Sequence, residues 1–370
     1  MSKKLQRVIL YEIGIIFLAV TFIAYKNITS VPTTNSNSAE TTKSAKTDET
    51  LEPTEEKTFI KWVDFNVTYE ALNKAYSYDV ETYGQEIHLN WIEMLAYLAS
   101  RNSGNFSKYK DKQMDELALK LKNKEETMES LTTDSKYYSY YLEAYTAILG
   151  GLVGEYQIET ADENNPEQKT MIQKYGLKGF SPIAKGYEFY DYDDFGVSRS
   201  YGYKRRHLGH DMMGQVGTPI IAVESGYVEA IGWNQYGGWR LGIRSFDGLR
   251  YYYYAHLRKN FPYELTLKEG SVVTAGDVIG YLGRTGYSAT ENTNNIDAPH
   301  LHFGLQLIFD ESQKEGNGEI WIDCYQLTKF LYKNRSETLK NQETKDYYRI
   351  YEMIDPAAKE YEQAHPPDME

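Results

Sequence analysis

The chain has 370 residues, with 40 Lys or Arg against 53 Asp or Glu, a formal net charge of −13 at pH 7. An acidic balance of this size argues against nucleic acid as a partner and against electrostatic adhesion to anionic wall polymers. The single cysteine, Cys324, excludes an intrachain disulfide, so the fold must rest on packed cores, for which the length is ample.

In chain order, residues 1–26 read as a cytoplasmic tip and transmembrane anchor. Lys3, Lys4 and Arg7 precede the apolar run Val8–Tyr25, which Glu12 alone interrupts. Such a run is just long enough to span a bilayer, and the basic residues place the N-terminus inside. No small-residue cleavage site follows, so an uncleaved single-pass anchor is expected, with the rest of the chain extracytoplasmic at the cell membrane. Residues 27–58 form a polar tether: "SVPTTNSNSAETTKSAKTDETLEPTEEK" has no aromatic residue and too little apolar surface to fold.

From 59 to 158 the apolar spacing turns helical. Ile92, Leu95, Ala96 and Ala99 make one stripe, Met114, Leu117, Ala118 and Leu121 a second, and Tyr138, Tyr141, Leu142, Tyr145 and Leu149 a third. Asn90 with Glu93 predicts an N-terminal cap for the first. This all-α module is expected to bury its own core and to offer a surface for a protein partner. The segment 159–175, which includes "ETADENNPEQK", reads as a polar linker.

Residues 176–325 carry strand signals. In "WRLGIRSFDGLRYYYYAHL", Asp247-Gly248 separates two strand-like runs, a hairpin with His256 at its end and on the face of Tyr252 and Tyr254. In "PHLHFGLQLIF", His300 and His302 alternate with Leu301 and Phe303, so both imidazoles leave one face of a strand. A pair of this kind fits a solvated strand face as well as a metal or catalytic site. His207 and Asp211 in "RRHLGHDMMG" supply two more good zinc donors, with Gly209 and Gly214 favouring a turn or irregular strand.

The phrases "HLGHD", "YAHL" and "PHLHF", in that order, resemble the lysostaphin-type zinc metallopeptidases, the peptidoglycan endopeptidases of bacterial cell walls. The connecting "GTPIIAVESGYVEAIG" and "KEGSVVTAGDVIGYLGRTGYS" match as well. The resemblance implies one zinc ion per chain on His207, Asp211 and His302. It implies that His256 and His300 orient the attacking water and handle its proton. His210 falls at a variable position of the motif, and on extended backbone it should point away from Asp211. The stretch "ATENTNNIDA" at 289–298 is longer than the resembled family has there, and reads as a surface loop beside the groove.

Residues 326–370 read as a polar C-terminal helical extension and tail. The expectation is thus an α+β multidomain chain: a transmembrane helix, an all-α module, and an antiparallel β-sheet catalytic domain of lysostaphin-like type with C-terminal helices. Its expected function is zinc-dependent cleavage of peptidoglycan stem or cross-bridge peptides. The alternative is a non-catalytic or weakly catalytic cell-wall or sporulation scaffold that binds a partner protein.

Overall fold

The computed structural model describes residues 59–162, 165, 168–200 and 204–366. The anchor and tether expected over 1–58 lie outside them. Among the described residues no helix is long and apolar enough to cross a membrane.

Five helices come first: α1 (Tyr69–Thr82), α2 (Trp91–Asn102), α3 (Asp111–Lys122), α4 (Met128–Thr132) and α5 (Tyr138–Leu149). The first two stripes read from the sequence are buried faces, and of the third Tyr145 and Leu149 are buried while Tyr138, Tyr141 and Leu142 are half-buried. Leu95, Ala96, Met114 and Leu149 are all fully buried. The Asn90 side chain caps α2 by accepting from the amides of Ile92 and Glu93.

The expected linker is instead sheet. Strands β1 (Val153–Ala161) and β2 (Lys169–Leu177) pair over their whole length, from Val153 opposite Leu177 to Ala161 opposite Lys169. Both ends of the polar phrase that suggested a separation, Glu159 to Ala161 and Lys169, are paired strand. The flanking "EYQIET" and "KTMIQKY" carry the β-branched and aromatic residues that favour strands.

Strands β3 (Tyr190–Asp191), β4 (Ser198–Ser200), β5 (Lys204–Arg206), β6 (His210–Met213), β7 (Pro219–Ile221), β8 (Gly226–Asn234) and β9 (Gly238–Ser245) follow. Then come β10 (Arg250–Ala255), β11 (Val272–Val273), β12 (Val278–Tyr281), β13 (His300–Leu307) and β14 (Ile320–Ile322). Eight of them build the main antiparallel sheet in the order β11-β8-β9-β10-β13-β6-β3, with β14 also on β13. Strict alternation divides its faces. Ile243, Tyr252, Tyr254, Leu301, Phe303 and Leu305 point to the core and are at most 1 % exposed. Their neighbours on the same strands, Tyr253, Ala255 and His302 among them, line a groove on the other face.

The C-terminal part holds two helices, as expected, with three short strands between them. Helix α6 (Tyr325–Leu331) is followed by β15 (Thr338–Lys340), β16 (Tyr347–Arg349), β17 (Met353–Ile354) and only then α7 (Pro356–Ala364). Strand β17 adds to β1. These strands are two or three residues long, too short to leave a period in the sequence.

The helices and the sheet do not bury separate cores. Leu95, Leu149, Val223, Leu305 and Phe330 belong to one continuous apolar cluster. The Tyr76 and Trp91 rings lie 5.4 and 5.8 Å from that of Phe330 on α6. Arg250 of β10 is buried and donates to Glu224 at 2.7 and 3.0 Å, to Asp247 at 2.6 Å, and to the Ala147 carbonyl of α5 at 2.9 Å. A guanidinium there satisfies a carbonyl orphaned at a helix end and complements the helix dipole.

Candidate metal centre and groove

Strand register assembles the site. Ala255 of β10 stands opposite His302 of β13, and His302 opposite Asp211 of β6. His207 reaches the same spot from the segment between β5 and β6. Its Nε2 lies 3.0 Å from Asp211 Oδ1 and 3.0 Å from His302 Nδ1, and those two atoms are 2.9 Å apart. The three residues form a group whose donor atoms all lie within 4.8 Å of one another. Gly209 makes room for it: a Cβ there would sit 2.6 Å from the His302 ring.

The protonation of the group favours a cation. Burial opposes ionisation of Asp211, but hydrogen bonds with His207 and His302 outweigh it and hold the carboxyl well below the usual range. Burial also lowers the pKa of His302 and so favours its neutral form, and a zinc ion would replace the proton that lies between Nδ1 and Asp211. Tetrahedral zinc with bonds of about 2.0–2.1 Å would set its ligands roughly 3.3 Å apart, so the residues present fit a zinc ion with small adjustment.

Neighbouring groups fix the donors. Asp194 Oδ1 lies 3.1 Å from His207 Nδ1. Arg199 pairs with Asp194 and donates to Asp211 Oδ2 at 3.0 Å, leaving Oδ1 to face the histidines. Neither Asp194 nor Arg199 was legible beforehand; they come from the loop and short hairpin before the first motif, with no spacing to mark them.

His256 and His300 complete the cluster, but His256 arrives differently from expectation. Strand β10 ends at Ala255, and His256 takes a left-handed φ of 62°, rare for a residue with a Cβ. That turn carries its ring off the core face of Tyr252 and Tyr254 into the groove, 4.8 Å from the His300 ring and 5.8 Å from that of His302. His256 Nδ1–H donates to the Thr285 carbonyl at 2.9 Å, and His300 Nδ1–H to that of Ala298 at 2.9 Å. A carbonyl accepts only from N–H, so each neutral ring carries its proton on Nδ1 and keeps Nε2 as a free base. Burial, then the adjacent His300 and His302, push the pKa of His256 well down.

His210 points the other way. Opposite Phe303 in register, it is buried with Nε2 3.1 Å from Asp191 and its ring against Tyr325. The loop at 289–298 lies beside the groove and is held at Asn292, whose Oδ1 accepts from Trp239 Nε1 at 2.9 Å and from the Asn260 amide at 2.8 Å.

Strands β6 and β13 and the segment before β6 bring two histidines and a carboxylate to metal-binding spacing beside two further histidines, an arrangement suited to metal-assisted hydrolysis as in metallopeptidases. Residues 205–315 match Peptidase family M23, and the chain carries an M23 domain homologous to the lysostaphin-type peptidoglycan endopeptidases. It is 36% identical over 124 residues to the L-Ala--D-Glu endopeptidase of Bacillus subtilis (strain 168), covering 34% of this chain and 36% of that protein. It is 40% identical over 98 residues to lysostaphin of Staphylococcus simulans, covering 26% of this chain and 17% of that one. The chain thus spans little more than a third of the length of the first and under a fifth of the second. Among solved structures, the catalytic domain of S. simulans lysostaphin is 31% identical at a TM-score of 0.30, covering 38% of this chain and 92% of that domain.

Proposed function

We propose that the chain is a zinc-dependent endopeptidase that hydrolyses peptide bonds in peptidoglycan stem or cross-bridge peptides. Val8–Tyr25 would hold it in the cell membrane with the M23 domain extracytoplasmic. The observation that carries the reading is the convergence of His207 Nε2, Asp211 Oδ1 and His302 Nδ1 beneath the bases of His256 and His300. Those three atoms would hold one zinc ion. When bound, zinc lowers the pKa of a water molecule to near neutrality and polarises the scissile carbonyl. His300 Nε2, 3.7 Å from Asp211 Oδ1, is placed to accept the proton of the attacking water and to return it to the leaving amine. His256 faces the same space with a neutral Nε2 that orients the attacking water by accepting a hydrogen bond from it, and the Nε2–H that His300 gains stabilises the developing oxyanion. No glutamate base of the His-Glu-x-x-His kind occurs in the sequence, so the proton chemistry falls to these histidines.

The test is release of soluble fragments from purified sacculi by the full-length chain. Chelation should abolish release and added zinc should restore it, with new amino termini that identify a peptide bond. A chain that binds zinc stoichiometrically but releases nothing would favour the scaffold alternative.

A further inference from the structure

The groove over the sheet's open face encloses about 1320 Å³. For a chain of net charge −13, its unpaired charge has an unexpected sign. The acidic side chains nearest the chemistry are engaged: Asp194 and Asp211 by Arg199 and the histidines, and Glu319 by Trp321 Nε1 at 2.7 Å. Asp297 and Glu315 are exposed. Arg205 and Arg240, both half-buried and both lining the groove, make no ion pair among the described residues. A guanidinium partly withdrawn from water without a carboxylate is an unmet electrostatic demand.

Their placement is specific. Leu241 stands opposite Tyr254 and Tyr254 opposite Phe303, so Arg240 falls in the row of Ala255 and His302 on the groove face. Two interstrand spacings put its backbone about 10 Å from that of His302, the length of roughly three residues of extended peptide. Only the Ala255 methyl stands between them in that row. Arg205 approaches from the β4–β5 hairpin, its guanidinium 4.8 Å from the Tyr287 ring, which lies 5.7 Å from that of His256. Burial raises the pKa of Tyr253 between them, and both guanidiniums oppose the rise.

We propose that Arg240, assisted by Arg205, forms a carboxylate subsite two to three residues from the scissile bond, so that the substrate is a carboxylate-bearing stem peptide and not a neutral glycine bridge. The proposal rests on the endopeptidase reading above. Guanidinium recognises carboxylate by paired charge-assisted hydrogen bonds that an amide or a glycine bridge does not reproduce. The carboxylate has three sources in such peptides, the α-carboxyl of isoglutamate, that of a diamino acid side chain and the C-terminal carboxyl, and the last is blocked in every probe below so that the first two are compared.

The experiment measures binding and cleavage separately with the full-length chain. Four synthetic probes, all amidated at the C-terminus, are used: a stem tetrapeptide with the isoglutamate and diamino acid carboxyls free, one with the isoglutamate carboxyl amidated, one with the diamino acid carboxyl amidated, and pentaglycine. Binding is read by calorimetry on His300→Ala, in which turnover is slowed enough for binding to be read first, and cleavage as kcat/KM on the unmutated chain. One amidation should weaken binding about ten- to hundredfold, the range of a hydrogen bond to a charged group, and it names the source; pentaglycine should bind no better than that form. Arg240→Gln should erase the discrimination, acting through KM, and Arg240→Lys should restore part of it. Equal binding of free and amidated peptides, tighter binding of pentaglycine, or discrimination that survives Arg240→Gln would overturn the subsite. Discrimination in binding without cleavage of any probe would leave the subsite standing and remove the endopeptidase reading instead.

Discussion

His300 and His302 leave the same strand on the same face, two residues apart, and do different work. His302 Nδ1 sits within 3.0 Å of the other two donors, whereas His300 is tied by its Nδ1 to a carbonyl and offers only Nε2. Replacing His300 or His256 with Ala should therefore keep bound zinc and lower kcat by about a hundredfold or more, as loss of a general acid–base group does. Loss of zinc from either variant would collapse the distinction. Gly209→Ala is a subtler probe. Its Cβ would meet the His302 ring at 2.6 Å and the Phe303 carbonyl at 2.8 Å, so the ring must move. Zinc affinity should fall at least tenfold while circular dichroism stays unchanged; unaltered affinity would mean the ring has room the packing does not suggest. At this scale much was legible in the sequence. The i, i+2 rule put His300 and His302 on one face, and alternation turned His210 away from Asp211. The face of His256 was misjudged because strand periodicity assumes a strand, and the chain leaves it one residue early with φ 62°. Arg199 and Asp194 were invisible because their partners are set by tertiary folding alone.

Among the elements, β10 does the most to join the structure. Its C-terminal end faces the site, and at its N-terminal end Arg250 binds Glu224, Asp247 and the end of α5. Arg250→Ala should cost about 3–5 kcal/mol, because Glu224 would be left buried without its partner. Arg250→Met with Glu224→Leu should recover much of that loss. Denaturant unfolding of Arg250→Ala, of the single variants Arg250→Met and Glu224→Leu and of the double variant checks both statements, and an additive double variant would show that the pair is not coupled. The loop at 289–298 hangs on fewer bonds. Asn292→Ala removes its hydrogen bonds to Trp239 and Asn260, an expected cost of about 1–2 kcal/mol, and should raise KM more than it lowers kcat if the loop shapes the groove. The sequence identified α2, α3 and α5, the β9–β10 hairpin and the histidine strand, whose apolar periods run for several turns or several alternations, but marked neither α1 nor α4. It misassigned β1, β2 and the short C-terminal strands. There a polar turn resembles a linker, and two or three residues carry no period.

At the scale of the molecule, the helices and the main sheet share one large core beside a smaller cluster around Phe180 and Tyr281, where separate helical and peptidase cores were expected. Hydrophobic spacing reveals which faces are buried but not against what, and the helical stripes turn out to pack on α6 and the sheet. A chain beginning at Lys178 should consequently expose that surface and fail to give a cooperative thermal transition. A truncated form that melts as sharply as the full chain would contradict the shared core. Cys324 provides a second check: burial pushes its thiol pKa up, and the side chain is fully covered. A thiol reagent should therefore modify it only at the rate of unfolding; fast labelling of the native chain would mean the core around α6 opens locally. The central claim is that three named atoms hold a zinc ion beneath two histidine bases, and zinc content after exhaustive dialysis tests it most directly. One zinc per chain is predicted for the unmutated protein and for His300→Ala, and almost none for His302→Ala. Stoichiometric zinc in His302→Ala, or none in the unmutated protein, would contradict the account.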